Sequence, residues 1–345
     1  ARRELKNSRI VRIRDRRFNP GVSMRTMSEV RGASSSSLVV PLSASIKARS
    51  FLMRALSKVD FPTLGRPTMA TFMTSGSVST GKGVGNREII LSNPNLKVIS
   101  NYAVGYDNID VDTATKRHIM VTNTPGVLTQ ATADLTWALI LSVARRVVEA
   151  DKFTREGKFK GWAPLLFLGS DVYGKTLGII GTGRIGTAVA MRSRGFDMIV
   201  LYTDKKQNEK LEKELKARRV SLKELLINSD FVSIHVPLTR ETIHLIGERE
   251  LNLMKPTAYI INTSRGPIID EKALVNALKE KKIAGAGLDV YEREPELSSD
   301  LVKLDNVVLL PHIGSATYET RNKMAILAAE NLIRALEGKK PPNLV

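Results

Sequence analysis

Lys175-Thr-Leu-Gly-Ile-Ile-Gly-Thr-Gly-Arg-Ile-Gly186 is the stretch from which the rest of the chain can be read. The apolar run Thr176 to Ile180 predicts a buried strand. It leads into Gly181-x-Gly183-x-x-Gly186 and then a helix from Arg184 to Arg194. In that strand–turn–helix context Gly181 permits the tight turn, and Gly183 lets the backbone approach a pyrophosphate. Gly186 lets the helix pack close to the strand. Thr182, Arg184 and Ile185 complete the turn, and the pyrophosphate is expected on the helix N-terminus, where free N–H groups favour an anion. A second apolar strand, Met198 to Tyr202, ends at Asp204, eighteen residues after Gly186. An acid about 20 residues on is what a dinucleotide site needs to receive the adenosine ribose hydroxyls. Asp204 favours a ribose diol and repels a 2′-phosphate, whereas Lys205 and Lys206, which follow at once, attract one. NAD is therefore the expected cofactor, with NADP use compatible.

On the N-terminal side of this stretch, Leu96 to Ser100 and Met120 to Thr124 read as strands. Between them lie the loop Asn101 to Asp110 and a short helix from Asp112 to His118. Pro125-Gly126 breaks the pattern, and the apolar spacing from Thr132 to Ala150 predicts one long helix with a broad apolar face. On the C-terminal side, strands are expected at Phe231 to Val236, Thr257 to Asn262, Ile283 to Val290 and Val307 to Leu310. They alternate with helices at Lys205 to Arg218, Leu222 to Ile227, Glu271 to Lys281 and Tyr318 to Leu336. Nearly continuous apolar strands alternating with helices indicate the α/β class, with a doubly wound parallel sheet (Rossmann) buried on both faces.

Ligands bind beyond the carboxyl ends of such strands, and the residues standing there are chemically coherent. Thr263, Ser264 and Arg265 follow one strand, Asp289, Glu292 and Glu294 the next, and His312 and Gly314 the last. An arginine clamps a carboxylate through two parallel hydrogen bonds. A histidine supplies a proton to a developing alkoxide, and a carboxylate on its other ring nitrogen favours the protonated ring and orients it. That set suits hydride transfer to a keto acid. His118 reads as a solvated helix-end residue, His235 as a packing residue and His244 as a structural one.

Residues 87–345 resemble the D-isomer-specific 2-hydroxyacid dehydrogenases, most closely the glyoxylate/hydroxypyruvate reductase branch. The motifs that carry the resemblance are Asn101-Tyr-Ala-Val-Gly-Tyr-Asp-Asn-Ile-Asp110, Gly169 to Gly186, Ile261-Asn-Thr-Ser-Arg-Gly266, Gly285-Ala-Gly-Leu-Asp-Val-Tyr-Glu-Arg-Glu-Pro295 and Leu310-Pro-His-Ile-Gly-Ser315. The resemblance implies that Arg265, Glu294 and His312 form the catalytic trio, with Glu294 preferred to Glu292 because the family's acid directly precedes the proline. It implies that the backbone N–H groups of Val104 and Gly105 hold the substrate carboxylate, and that Asp289 holds the nicotinamide carboxamide. Thr263, Ser264 and Gly314 join the expected cofactor contacts, and no metal is expected. The implied reaction is NAD(P)H-dependent reduction of glyoxylate or hydroxypyruvate. The alternatives are another D-2-hydroxyacid dehydrogenase, such as a short phosphoglycerate dehydrogenase, or a non-enzymatic dinucleotide-sensing protein like the corepressors of this fold. The resemblance also implies a homodimer and two lobes. The nucleotide domain would take residues 125–315, and a flavodoxin-like substrate lobe would take 87–124, with the terminal helix of 316–345 returning to it.

Composition narrows the field further. The chain contains no cysteine, which excludes disulfides and thiolate chemistry. No apolar run reaches the ~18 residues of a membrane span, so a cytoplasmic protein with no membrane partner is expected. The net charge of +18 is uneven: residues 1–86 hold 16 Lys/Arg against 4 Asp/Glu, the remainder 37 against 31. Basicity therefore belongs mainly to the N-terminal quarter, and no nucleic-acid partner is expected for the body. Residues 1–86 are rich in Arg and Ser, poor in acids, and without convincing period. They read as an atypical part of the substrate lobe, either a leader of transit-peptide composition or a coding-frame shift joined near Arg87. The second is the preferred reading; the first would allow an organelle location.

Overall fold

A strand in the interior of a parallel sheet is covered on both faces, so its side chains are apolar in succession rather than in alternation. Two sheets in this chain obey that rule. The computed structural model describes residues 87–345 and the backbone of one earlier strand. That strand, β1 (Met69–Thr74), lies in a segment where the sequence predicts no strand. It pairs in parallel with β2 (Leu96–Tyr102), which pairs with β3 (Met120–Thr122), giving a three-stranded sheet in the order β1-β2-β3. The rest of residues 1–86, including the expected seam, lies outside the described residues. Helices α1 (Arg87–Ser92) and α2 (Val111–Lys116) flank β2 in sequence. Ile90, Leu96, Ile99, Ile109, Ala114, Ile119 and Val121 form the small core between them.

The larger sheet is parallel and seven-stranded. It comprises β4 (Thr176–Ile180), β5 (Ile199–Thr203), β6 (Arg218–Arg219), β7 (Phe231–Ile234), β8 (Tyr259–Asn262), β9 (Gly285–Leu288) and β10 (Val307–Leu309), in the order β10-β9-β8-β7-β4-β5-β6. The chain starts in the middle at β4, winds outward through β5 and β6, then returns to β7 and winds outward the other way. The direction of winding therefore reverses between β4 and β7, where a crevice opens beyond the strand ends. One face is filled by the cluster around Ile180, Val232, Ile260 and Leu274, the other by Leu177, Ile179, Val200 and Ile261.

The expected long helix from Thr132 to Ala150 is two helices, α3 (Thr129–Ala144) and α4 (Val147–Arg155). The break is at Arg146, whose φ of 53° is left-handed and whose guanidinium pairs with Glu149 at 2.6 Å. α3 is buried along most of its length against the large sheet, through Trp137, Leu139, Ile140 and Val143. α4 buries nothing, and Val147 and Val148 are half exposed. Helix α5 (Arg184–Arg192) follows the glycine turn. The exposed helix expected over 205–218 is shorter, α6 (Glu209–Leu215), because Asn208 caps it by accepting from Leu211 N. Helices α7 (Leu222–Asn228), α8 (Glu248–Leu251) and α9 (Glu271–Lys279) complete the cover of the sheet. Ser221 and Asp270 cap α7 and α9, each cap contributing about 1 kcal/mol.

The last helix, α10 (Tyr318–Leu336), is capped by Thr317 and packs on the small sheet. Its Met324, Ala325, Ala328, Ala329 and Leu332 meet Val98 and Tyr102 of β2. Alanine at successive turns lets the helix approach closely enough for Ser100 Oγ to donate to Ala328 O at 2.9 Å.

Candidate active site

The glycine turn is shaped by steric necessity. Gly181 has φ +91°, and a Cβ there would stand 2.7 Å from Val236 and 2.9 Å from the His235 backbone. A Cβ on Gly186 would stand 2.0 Å from Gly181 O, so α5 can cross β4 this closely only with glycine at that position. Gly183 differs: nothing lies within 4 Å of its Cβ position, and it is the N-cap of α5, with Arg184 exposed beside it. An open glycine at a helix N-terminus is what close approach of a pyrophosphate requires, so the residues present fit a dinucleotide. Ile185 turns the other way and packs into the core beneath the small sheet.

Asp204 closes this turn. Its Oδ2 accepts from Thr182 N at 2.6 Å and Thr182 Oγ1 at 3.1 Å, and its Oδ1 from Lys206 N at 3.2 Å. Burial pushes its pKa up, but these donors outweigh that and hold the carboxyl below its usual range. Lys205 pairs with Glu241. Sequence reasoning missed Arg219 on the edge strand β6, whose guanidinium donates to Asp204 O and Lys205 O at 2.8 and 2.9 Å. The end of β5 therefore carries the Asp204 carboxylate with Arg219 on its backbone carbonyl and Lys205 paired to Glu241.

Beyond β8, Asn262 is 1% exposed and shapes the turn that presents Arg265. Its Nδ2 donates to Arg265 O at 2.8 Å, while its Oδ1 accepts from Ser264 N and Ser264 Oγ. Thr263 Oγ1 shares a 2.9 Å hydrogen bond with Thr136 Oγ1 of α3. A Cβ on Gly266 would lie 1.9 Å from the Tyr291 carbonyl, so the arginine turn and the turn after β9 are pressed together. Arg265 extends to the loop after β2, where its Nε donates to Asp107 Oδ1 at 2.9 Å. Its Nη2 sits 1.7 Å from where a Cβ of Gly105 would be. Asp107 is a second residue that sequence reasoning did not single out; the partner of Arg265 is 158 positions away along the chain.

Beyond β9 and β10, His312 Nδ1 lies 2.8 Å from Glu294 Oε2, and Glu294 Oε1 accepts from Tyr291 N at 3.0 Å. Burial raises the Glu294 pKa. The hydrogen bond and charge of His312, the Tyr291 N–H and the charge of Arg265 outweigh it, leaving the carboxyl below its usual range. An ionised carboxylate can only accept, so Nδ1 carries the hydrogen and Nε2 is left for the substrate. Glu292 points elsewhere, to His244 at 3.0 Å and to Glu271 N. His312 has φ 54°, a left-handed conformation that non-glycine residues adopt at a cost. It is held there by Asp289, which is 1% exposed and accepts from Ile313 N and Gly314 N, each at 2.7 Å. Both Asp289 oxygens are thus engaged with the histidine loop. Burial pushes the Asp289 pKa up.

The other histidines stay outside this cluster. Desolvation of the His235 ring pushes its pKa down to about 3, and it bonds Ser233 Oγ at 2.8 Å. His118 is exposed past the end of α2. Among the described residues no group of His, Asp or Glu could hold a metal ion.

Residues 137–314 match the family model of the D-isomer specific 2-hydroxyacid dehydrogenase NAD binding domain. A glyoxylate reductase of Thermococcus litoralis is 58% identical over 264 residues, covering 75% of this chain and 80% of that protein. One from Korarchaeum cryptofilum is 59% identical over 260 residues, covering 75% and 78%. Among solved structures, an NADPH-dependent glyoxylate/hydroxypyruvate reductase from Sinorhizobium meliloti, in complex with NADP and malonate, superposes with a TM-score of 0.77 at 31% identity, covering 90% of this chain and 96% of that one. A glyoxylate reductase from Paecilomyes thermophila gives 0.74 at 39% identity, covering 86% and 88%. With the open glycine turn and the strand-end residues already in place, these matches mean that the chain belongs to the D-isomer-specific 2-hydroxyacid dehydrogenases and is an NAD(P)-dependent oxidoreductase.

Proposed function

We propose that this enzyme reduces a small 2-oxo acid, glyoxylate or hydroxypyruvate, to the corresponding 2-hydroxy acid. The observation that carries the reading is the meeting of three strand-end groups, with Arg265 against Gly105 and the Glu294–His312 pair on the neighbouring turns. Gly181, Gly183, Gly186 and Asp204 would hold the dinucleotide, which supplies the hydride. The chain's own residues do the rest. The N–H groups of Val104 and Gly105, with the Arg265 fork, take the carboxylate and leave the carbonyl oxygen for Arg265 and His312. His312 gives its Nε2 proton to that oxygen as it becomes an alkoxide, and Glu294 stabilises the imidazolium before transfer and holds the ring in line. Asp107 balances the Arg265 charge until a substrate carboxylate arrives. The relatives named as glyoxylate reductases support the substrate assignment.

Residues 87–124 with α10 would form the lobe that closes over the cofactor, and 125–315 the nucleotide domain. A homodimer belongs to the same reading. Phe159, Trp162, Leu165 and Leu168, beyond α4, are 55, 86, 79 and 61% exposed, an apolar surface that a second copy would cover. Among the described residues no helix is long and apolar enough to cross a membrane, and a cytoplasmic setting is part of the proposal. The test is a spectrophotometric screen of NADH and NADPH oxidation against a panel of 2-oxo acids. Fast turnover of glyoxylate or hydroxypyruvate supports the assignment, and activity confined to branched or phosphorylated acids overturns it.

A further inference from the structure

Directly after β2, three consecutive backbone carbonyls are each tied down by a hydrogen bond. Ala103 O accepts from Thr124 N at 2.9 Å, Val104 O from Asn123 Nδ2 at 2.8 Å, and Gly105 O from Asn101 Nδ2 at 2.7 Å. In a trans peptide the N–H points opposite to the preceding carbonyl. Fixing these three carbonyls therefore aims the N–H groups of Val104, Gly105 and Tyr106 the other way. None of the three donates to another group among the described residues. Successive N–H groups presented together form an anion-binding concavity, and Arg265 Nη2 lies against its middle residue, Gly105.

We infer that Asn123 and Asn101 are positioning residues for the substrate carboxylate, and that the C-terminal residues of the chain act on the site through Asn123. This rests on the reading of Val104 and Gly105 as the carboxylate's N–H donors. Asn123 is itself held on both sides of its backbone. Its O accepts from Asn331 Nδ2 at 2.9 Å, and its N donates to Asn343 O at 3.2 Å. Asn331, fully buried on α10, closes the ring by accepting from Asn343 N at 3.2 Å. Val345 N donates to Val121 O at 2.8 Å, and Leu344 bridges to Thr122, so the last residues dock along β3. Among the described residues the Oδ1 atoms of Asn101 and Asn343 are buried without a hydrogen-bond partner. A buried unpaired acceptor is costly, and at Asn101 it accompanies an amide whose other end fixes Gly105. Turning that amide over would put two oxygens face to face, which sets its orientation.

The experiment compares the wild-type chain with Asn123→Ala, Asn331→Ala and Asn101→Ala. It measures kcat and KM for glyoxylate, inhibition by oxamate (an unreactive 2-oxo acid isostere), the Kd for NADH and the Tm. Asn123→Ala should raise KM and the oxamate inhibition constant together by roughly tenfold, the worth of one orienting hydrogen bond. The kcat should change less than about threefold and the Kd for NADH should be unchanged. Asn331→Ala, which removes the side chain that holds both Asn123 O and Asn343 N, should move KM in the same direction by about two- to threefold, because it acts one step further back. Should Asn123→Ala fail to fold, the same split in Asn101→Ala and Asn331→Ala supports the inference. A KM within twofold of wild type, or a parallel loss of KM, kcat, NADH affinity and Tm, overturns it. If Arg265→Ala still damages glyoxylate turnover in that case, the underlying reading survives alone. A wild type that reduces no 2-oxo acid overturns both.

Discussion

Around the dinucleotide turn the architecture depends on side chains that are missing, whereas around the substrate it depends on charges that are present. Gly181 and Gly186 are required by backbone atoms 2.0 to 2.9 Å from where a Cβ would be, those at Gly186 within the turn itself and those at Gly181 from His235 and Val236 beyond β7. Arg265, Asp107, Glu294 and His312 come from four separate loops and are held by ion pairs of 2.8 and 2.9 Å. The first half should therefore be intolerant of volume and insensitive to pH. The second should respond to any change in charge, and its intolerance of volume is confined to Gly105 and Gly266, where a Cβ would lie 1.7 and 1.9 Å from the nearest atoms.

Arg265→Ala should produce the largest effect. Loss of a charge-assisted contact to the transition state costs on the order of 2–4 kcal/mol, about 30- to 1000-fold in kcat/KM for glyoxylate. Dinucleotide affinity, followed by NADH fluorescence, should stay close to wild type. A near-wild-type kcat/KM would remove Arg265 from the substrate half.

Gly186→Ala is the mirror experiment. Its Cβ must displace the Gly181 carbonyl, and overpacking of this kind costs about 1–3 kcal/mol. The loss should appear as weaker NADH binding at every pH, with kcat at saturating cofactor retained. Unchanged NADH binding would show that α5 moves freely and that the steric account of this half is wrong.

Asp204→Ser, with Lys205, Lys206 and Arg219 left in place, should shift the ratio of NADPH to NADH use upward by roughly tenfold, a change of about 1.4 kcal/mol. It removes the carboxylate that repels a 2′-phosphate and leaves the cations beside it. Kinetics with both cofactors measure this. If the unmodified enzyme already uses the two equally, the cations dominate and the ratio will not move.

The same contrast explains what could be read in advance. The glycine turn, its strand and Asp204 lie within 29 residues, Thr176 to Asp204, and their spacing follows from local sterics. The parallel sheet was legible from its apolar strands; places after strands singled out Glu292, Glu294 and His312 together, and the choice of Glu294 over Glu292 came from the resemblance alone. Asp107 was not legible, because its partnership with Arg265 exists only once β2 and β8 have been brought together. Asp289 was expected to hold the nicotinamide carboxamide; its part in shaping the histidine loop, by accepting from the N–H groups of Ile313 and Gly314, was not legible, because it depends on the left-handed turn at His312. The break at Arg146 carries no glycine or proline. The apolar Val147 and Val148 extended the helical pattern although both are exposed. Arg219 was hidden because an edge strand of two residues leaves no periodicity.

The claim that charge organises the substrate half is tested most directly by the pH dependence of kcat/KM for glyoxylate reduction in wild type and Glu294→Gln. Glu294 has its pKa lowered in the folded protein, so its contribution to stability is present above its unfolded pKa and fades as pH falls through the folded value. At neutral pH and above, its charge favours the protonated His312 that reduction consumes. Removing that charge should move the alkaline limb of the profile to lower pH, while the Kd for NADH stays flat across the range. A profile unmoved in Glu294→Gln but shifted in Glu292→Gln, whose carboxylate pairs with His244, would contradict the account.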